Sequence, residues 1–278
     1  MLIELNNDQY SLIKPLLGEL KHHPVVNGVI DGNNLGRVFV DNLKKPESAL
    51  VWAKNEMFFL IGNSKNELFH SSLKETIIKR IKPEALDIGD DHFNLELHNT
   101  ADWEAAVMEV FDHTLLIGER VPFSFDKVAF SEFMSSRNID LPEGYTCDEI
   151  TPSLMEEDPG QFLKTEILKF WDSPKNFFER GIGFYIRKGN QVIGSCISVF
   201  VSSNHYEIGI NIYNTEHRGK GLATIMAAEF IDKCLERGGI PHWGTEDFRK
   251  DSIAIARKIG FTQLPNYKLF HLPFVRMN

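Results

Sequence analysis

The 278-residue sequence is short of several things, and each shortage narrows what it can do. It has three cysteines, Cys147, Cys196 and Cys234. Their odd count and wide spacing give no disulfide framework and no metal-ligand pattern, so no metal is expected and the thiols read as reduced, in a cytoplasmic protein. Cys196 and Cys234 sit in apolar surroundings and are expected in the core. No apolar run approaches the roughly 20 residues that span a bilayer, so no membrane partner is expected. The opening Met-Leu-Ile-Glu-Leu-Asn-Asn lacks a basic start followed by an apolar core, which predicts no secretory leader. Positive charge is scarce: 30 Lys and Arg stand against 39 Asp and Glu, a net charge of −9. Non-specific nucleic-acid binding relies on many cations neutralising phosphates, so no nucleic-acid partner is expected. A local basic pocket for a small anionic cofactor remains open, and an acidic excess suits a cationic substrate such as an amine. What the chain does have is a 42% hydrophobic fraction and 21 Phe, enough for sizeable cores.

The first half opens with a helical pattern, Tyr10, Ile13, Leu16, Leu17 and Leu20 on one face, which Pro24 is expected to end. Gly36 to Val40, Ala49 to Ala53 and Met57 to Ile61 read as strands, Leu68 to Ile81 as a helix, Phe93 to Leu97 as a strand and Trp103 to Phe111 as a helix. Ser131 to Glu143, with Ser135-Ser136-Arg137-Asn138 and the Pro142/Gly144 turn, reads as a linker. It divides the chain into residues 1–135 and 141–278. In the second half, strands over Tyr145 to Ile150, Ile182 to Arg187, Val192 to Val201 and Tyr206 to Ile212 are joined by tight polar turns, with a helix over Gln161 to Trp171. A helix from Gly221 to Arg237 follows, with Leu222, Met226, Ala227, Phe230, Ile231 and Cys234 on its apolar side. Then come a strand at Ile240 to Trp243, a helix at Phe248 to Ile259 and a strand at Tyr267 to Leu272. A helix between strands implies a parallel pair, so the fold class is mixed α/β (α+β), one mixed sheet with helices on its faces.

Arg218-Gly219-Lys220-Gly221-Leu222-Ala223 lies between a strand and a helix. A helix N-terminus exposes unpaired N–H groups and about half a positive charge. Gly219 and Gly221 let an anion approach the backbone, Ala223 keeps the first turn narrow, and Arg218 and Lys220 add charge. Thr224 occupies the third-glycine position of a dinucleotide fingerprint, and Gly-Lys-Ser/Thr is missing, so the segment is neither that fingerprint nor a P-loop.

The segment resembles the Gln/Arg-x-x-Gly-x-Gly/Ala signature of the GNAT N-acetyltransferase superfamily. Glu207-Ile208-Gly209-Ile210 upstream and Ala254 to Phe261, ending Lys-Ile-Gly-Phe, resemble that family's fourth strand and late helix. A narrower likeness is to the bacterial subgroup named for zwittermicin A resistance. It is carried by Phe170-Trp171-Asp172-Ser173, Phe178 to Phe184, Cys234-Leu235-Glu236 before Pro241-His242-Trp243, and by Gly36 to Asp41 and Pro46 to Leu50. The resemblance implies a GNAT-like catalytic domain over 141–278 and a degenerate GNAT-like domain over 1–135. Residues 1–135 contain no second signature, so no second cofactor site is expected there.

The implied function is N-acetyl transfer from acetyl-CoA, the coenzyme A cosubstrate, to a primary amine of a small molecule, by a monomer or homodimer. The implied cofactor residues are Ile212, Tyr213, Arg218, Gly219, Lys220, Gly221, Leu222, Ala223 and Ser252. A backbone N–H near Asn211 to Tyr213 is the expected donor to the thioester oxygen. Glu207 is the first candidate for the base, with His242 and Glu246 next. Gly209 marks either a bulge or close approach, or plain packing. The family's late-helix Tyr, a common acid for the CoA thiolate, is Ala256 here, and its Asn is Arg249. Water, Tyr213 or Tyr267 would then supply the proton. Two other readings compete: an acyl-CoA-binding or sensory module without turnover, and an interaction protein whose glycine loop is only a turn.

Overall fold

The computed structural model describes residues 1–97, 100–136, 140–156 and 158–278, with the backbone alone at 100, 101 and 158–160. In chain order the elements begin β1 Ile3–Glu4, α1 Pro24–Ile30, β2 Gly36–Val40, β3 Ser48–Ala53, β4 Met57–Gly62, α2 Glu67–Thr76, α3 Lys82–Asp87, β5 His92–Glu96 and α4 Thr100–Val110. They continue β6 Leu116–Phe125, α5 Lys127–Ser136, β7 Tyr145–Glu149, α6 Asp158–Ile167, α7 Pro174–Arg180, β8 Gly183–Lys188, β9 Gln191–Ser202 and β10 His205–Ile212. The last are α8 Leu222–Glu236, β11 Ile240–Glu246, α9 Lys250–Lys258, β12 Phe261–Gln263 and β13 Tyr267–Pro273.

Two compact units result, Met1–Arg120 with Asn266–Asn278, and Val121–Pro265. The sequence places the division at residues 136–140 instead. Two pairings explain the difference. β13 closes the first unit by pairing antiparallel with β5 and with Leu116 to Arg120, so the chain end returns to the unit where it began. Residues Phe123 to Phe125 pair with β12 in the second unit. β6 itself has no counterpart in the sequence reading. The first six residues of the expected linker, Ser131 to Ser136, belong to helix α5, whose first turn is capped by Asp126: its Oδ1 accepts from the N–H of Val128 at 2.9 Å and of Ala129 at 3.1 Å. Ser135 and Ser136, read as linker residues, donate to carbonyls four residues back and so fit a helix. Arg137 and Asn138 of that expected linker lie outside the described residues.

In the first unit the sheet order is β1-β2-β3-β4-β5-β13-β6. β3 and the first five residues of β4 are buried on both faces, as their Leu, Val, Trp and Phe content requires. The expected opening helix is instead two 3-10 segments, Asn7–Leu16 and Gly18–His22. Pro15, inside the first, removes a donor, and Gly18, which opens the second, takes φ +51. Pro24 does not end a helix but begins α1, where a residue without an N–H and with fixed φ is favoured.

β4 and β5 are parallel, and α2 lies between them in the chain. The entrance to α2 is closed to an anion. Asn66 caps it by accepting from Phe69 N–H at 3.1 Å, and its own amide is bound to Asp41 Oδ2 at 2.9 Å. A Cβ on Gly62 there would overlap the carbonyl of Glu47.

A buried ion pair also holds this unit. Arg120 Nε lies 3.0 Å from Glu96 Oε1, Arg120 Nη2 lies 3.2 Å from Glu56, and the Tyr267 hydroxyl donates to Glu96 Oε2 at 2.9 Å. Arg120→Met is expected to cost about 3–5 kcal/mol by leaving the Glu96 carboxylate buried without its partner. Urea unfolding measures this, and adding Glu96→Gln to Arg120→Met is expected to recover part of the loss. Equal stability of Arg120→Met and wild type would contradict it.

The second unit is the antiparallel meander β7-β8-β9-β10 extended by β11. β10 and β11 are parallel, as the intervening α8 predicts. The apolar stripe of α8 is buried, including Leu222, Met226, Phe230 and Cys234. Trp171 is buried against Phe177 and donates its Nε1–H to Ser198 O at 2.9 Å, so part of the motif at 170–184 is core packing. Cys196 and Cys234 are buried as expected, and burial pushes both thiols up, Cys234 to about 12. Among the described residues, no helix is long and apolar enough to cross a membrane.

Candidate active site

The loop before α8 has the geometry an anion needs. Gly219 and Gly221 adopt φ +74 and +78, the left-handed region that side chains other than glycine's rarely occupy. Space lies open where a Cβ on Gly219 would be. Gly221 is the N-cap of α8, and no side chain caps that helix. The first-turn amides of a 15-residue helix therefore have no side-chain oxygen of their own. They border a cavity of about 530 Å³. Arg218, Gly219, Gly221, Leu222, Ala223 and Thr224 line one side of it. Phe248, Arg249, Ser252 and Ile255, from the start of α9, line another, with Asp251 beside them. Ile210, Asn211 and Ile212 of β10 also line it. Phe248, 73% exposed, and Arg249 have no evident role in the core.

The sheet opens beside this cavity. β10 and β11 are in register only from His205/Ile240 to Glu207/His242, although both strands continue. Beyond that point they part. Tyr213 N–H donates to Ile193 O at 3.0 Å on the β9 side. Successive residues of an antiparallel ladder bond to alternate edges, so the Ile212 amide points the other way, toward the gap. Ile212 itself packs on the α8 face, since a Cβ on Gly194 would meet both its Cδ1 and Met226 Cε.

Glu207 and His242 are register partners on the two parallel strands, just before the gap. Glu207 is 6% exposed. His242 Nε2 lies 2.7 Å from Nδ1 of His205, a residue the sequence reading did not single out. Burial, with His205 second, lowers the His242 pKa to about 4. His242 is thus neutral at pH 7 and could accept a proton only weakly. Linkage gives a stability effect. Unfolded His242 protonates near 6.5 and the folded residue near 4, so this group's contribution is intact above 6.5 and lost as pH falls toward 4. The melting temperature of His242→Gln is expected to fall less steeply than that of wild type between those pH values. Parallel curves would contradict this. Glu246 ends β11, its carboxylate 3.9 Å from Arg249 Nη1.

The other expected residues separate. Tyr213 does not offer its amide to the gap, and its hydroxyl is 2.6 Å from Ser195 Oγ, with burial raising its pKa. Its ring meets Phe162 of α6 rather than the cavity. Lys220 points its Nζ at the Tyr145 hydroxyl, 3.2 Å away, and is absent from the cavity wall. Ser252 lines the cavity while its Oγ accepts the Trp243 indole N–H at 3.1 Å. Ala256 is fully buried. Tyr267 belongs to the other unit, where its hydroxyl donates to Glu96. Gly209 follows directly on a register shift between Glu207 and Ile208, and a Cβ there would overlap Val199 Cγ1, so the expected irregularity and the packing role both fall at this point of the strand. Among the described residues, no three His, Cys, Asp or Glu side chains converge as a metal site.

An uncapped helix behind two left-handed glycines opens on a cavity where two parallel strands part, and its free first-turn amides are of the kind that receive an anion. The sequence profile of the GNAT acetyltransferase family matches residues 14–270, and the chain belongs to that family. It is an acyltransferase of the GNAT type. It is 26% identical over 271 residues to the uncharacterized N-acetyltransferase YdfB of Bacillus subtilis (strain 168), with 98% of each chain covered. Among solved structures it is similar to a GCN5-related N-acetyltransferase-like protein from Streptococcus suis 89/1591, with TM-score 0.67 and 22% identity over 95% of this chain and 98% of that one. It is also similar to a tandem GNAT protein from the clavulanic acid biosynthesis pathway, with TM-score 0.60 and 11% identity over 99% and 98%. At those identities the likeness is one of fold, and it spans both units.

Proposed function

We propose that the protein moves an acetyl group from acetyl-CoA to a primary amine of a small molecule. The observation that carries this reading is the uncapped N-terminus of α8 facing a cavity of about 530 Å³ through Gly219 and Gly221. The loop amides from Gly219 to Ala223 hold the pyrophosphate, and Arg218 and Arg249 supply cations at the cavity wall. Leu222 and Ser252 bound the cofactor's path. The cosubstrate supplies the activated thioester. The Ile212 N–H, aimed at the gap, donates to its carbonyl oxygen as negative charge develops there. Glu207 removes the proton from the acceptor nitrogen, directly or through one water, with Glu246 available to pair with an incoming ammonium. His242 orients the acceptor beside Glu207. No hydroxyl replaces the family's Tyr at Ala256, so water returns the proton to the departing thiolate.

The likeness of residues 170–184 to the zwittermicin A resistance subgroup puts amino-bearing natural products first among acceptors to try, with amino sugars, polyamines and amino acids beside them. The test is release of CoA thiol from acetyl-CoA across that panel, with the acetylated amine identified by mass. Amine-dependent release is the expected result. A protein that binds CoA yet releases thiol with no amine would contradict the proposal.

A further inference from the structure

Lys220 is a cation in an anion-binding loop whose charge is directed elsewhere. Its Nζ lies 3.2 Å from the Tyr145 hydroxyl and 5.7 Å from the centroid of that ring. The same hydroxyl lies 2.6 Å from Nδ1 of His217. Tyr145 and His217 are both buried, and their rings meet edge-on with centroids 5.7 Å apart. Tyr145 belongs to β7, 72 and 75 residues away from its two partners in the chain. One hydroxyl therefore ties down His217 and Lys220 together. The residues between them, Arg218 and Gly219, are exposed and line the cavity.

An ammonium only donates, so the Tyr145 oxygen accepts from Lys220. The same hydroxyl shares a second hydrogen bond with Nδ1 of His217, donating or accepting according to the imidazole tautomer. Both shoulders of the loop thus depend on a single oxygen. Between them, Gly219 has a wide conformational choice and the helix N-cap offers no side chain to narrow it. A loop that must be ordered on binding weakens affinity in proportion to the fraction of time it is competent.

We propose that the Tyr145 hydroxyl is a clamp that holds the loop in its anion-receiving shape, and that Lys220 is a positioning residue within that clamp rather than a phosphate ligand. This rests on the reading that the loop receives the CoA pyrophosphate. It assigns a function to a residue on β7, outside the loop signature.

The test is calorimetric titration of CoA, with initial rates at saturating acetyl-CoA, for wild type, Tyr145→Phe, Lys220→Met and the double variant. Tyr145→Phe is expected to weaken CoA binding about tenfold, a change of about 1.4 kcal/mol. Its kcat at saturation should stay within about twofold of wild type, because the clamp acts before chemistry. Lys220→Met should weaken binding several-fold in the wild-type background and less than about twofold in Tyr145→Phe, the coupling expected of one unit. Lys220 is exposed, so Lys220→Met leaves the buried ring in place and carries the test if Tyr145→Phe fails to fold. A Lys220→Met loss of equal size in both backgrounds places the ammonium directly on phosphate and overturns the proposal. Unchanged CoA affinity in Tyr145→Phe, even with a lowered melting temperature, overturns it too. Failure of wild type to bind CoA removes the loop reading itself, and this inference with it.

Discussion

Gly221→Glu is expected to abolish CoA binding while leaving the protein folded. Gly221 sits at φ +78 as the N-cap of α8, so any side chain there is strained by about 1–2 kcal/mol. A carboxylate at a helix N-terminus repays part of that strain through the macrodipole, by about 0.3–1 kcal/mol. The fold should survive for that reason. The same carboxylate stands where the phosphate must go, adding bulk and like charge at the cavity wall. Titration should show no binding at millimolar CoA. At a hundredfold excess over Kd, CoA should stabilise wild type by about 2.7 kcal/mol and the variant not at all. Gly221→Ala separates the causes: it carries the strain without the charge and should weaken binding only several-fold. Equal CoA affinity in wild type and Gly221→Glu would remove the cofactor assignment.

Glu207→Gln is expected to lower kcat by about 10²–10⁴-fold, the usual contribution of a positioned base. CoA affinity should stay within about twofold, because Glu207 is not part of the cavity wall and the substitution keeps its shape. Its position argues for the role: it is buried at the last register pair before β10 and β11 part, opposite His242. Normal turnover at every pH would transfer the base role to another group.

The loop and the parallel pair were readable in the sequence because each has a local chemical cause. Gly219 and Gly221 mark left-handed backbone, and the apolar stripe from Leu222 to Cys234 marks a helix buried on one side. β6 was not readable, because Gly118 and Pro122 break its pattern and its alternation is shared between two units. α5 was hidden by serines whose hydroxyls bond back into the helix. Pro24 was misread because proline punctuates helices at both ends, and only the following residues show which. Of the residues the sequence points to, Ile212, Arg218, Gly219, Gly221, Leu222, Ala223 and Ser252 line the cavity. The sequence could not supply the direction of Lys220 or the His205–His242 contact, since both depend on strands brought together by tertiary pairing. The family resemblance implies an amide donor at Asn211–Tyr213, and ladder alternation leaves the Ile212 N–H as the one facing the gap.

CoA is proposed to seat its pyrophosphate against the α8 N-terminus, and a crystal structure of the CoA complex is the direct test. Pyrophosphate oxygens are expected within about 2.7–3.2 Å of backbone N–H groups between Gly219 and Ala223, with the thiol in the gap beyond Glu207 and His242. Pyrophosphate bound anywhere else, with the loop amides facing only water, would contradict it.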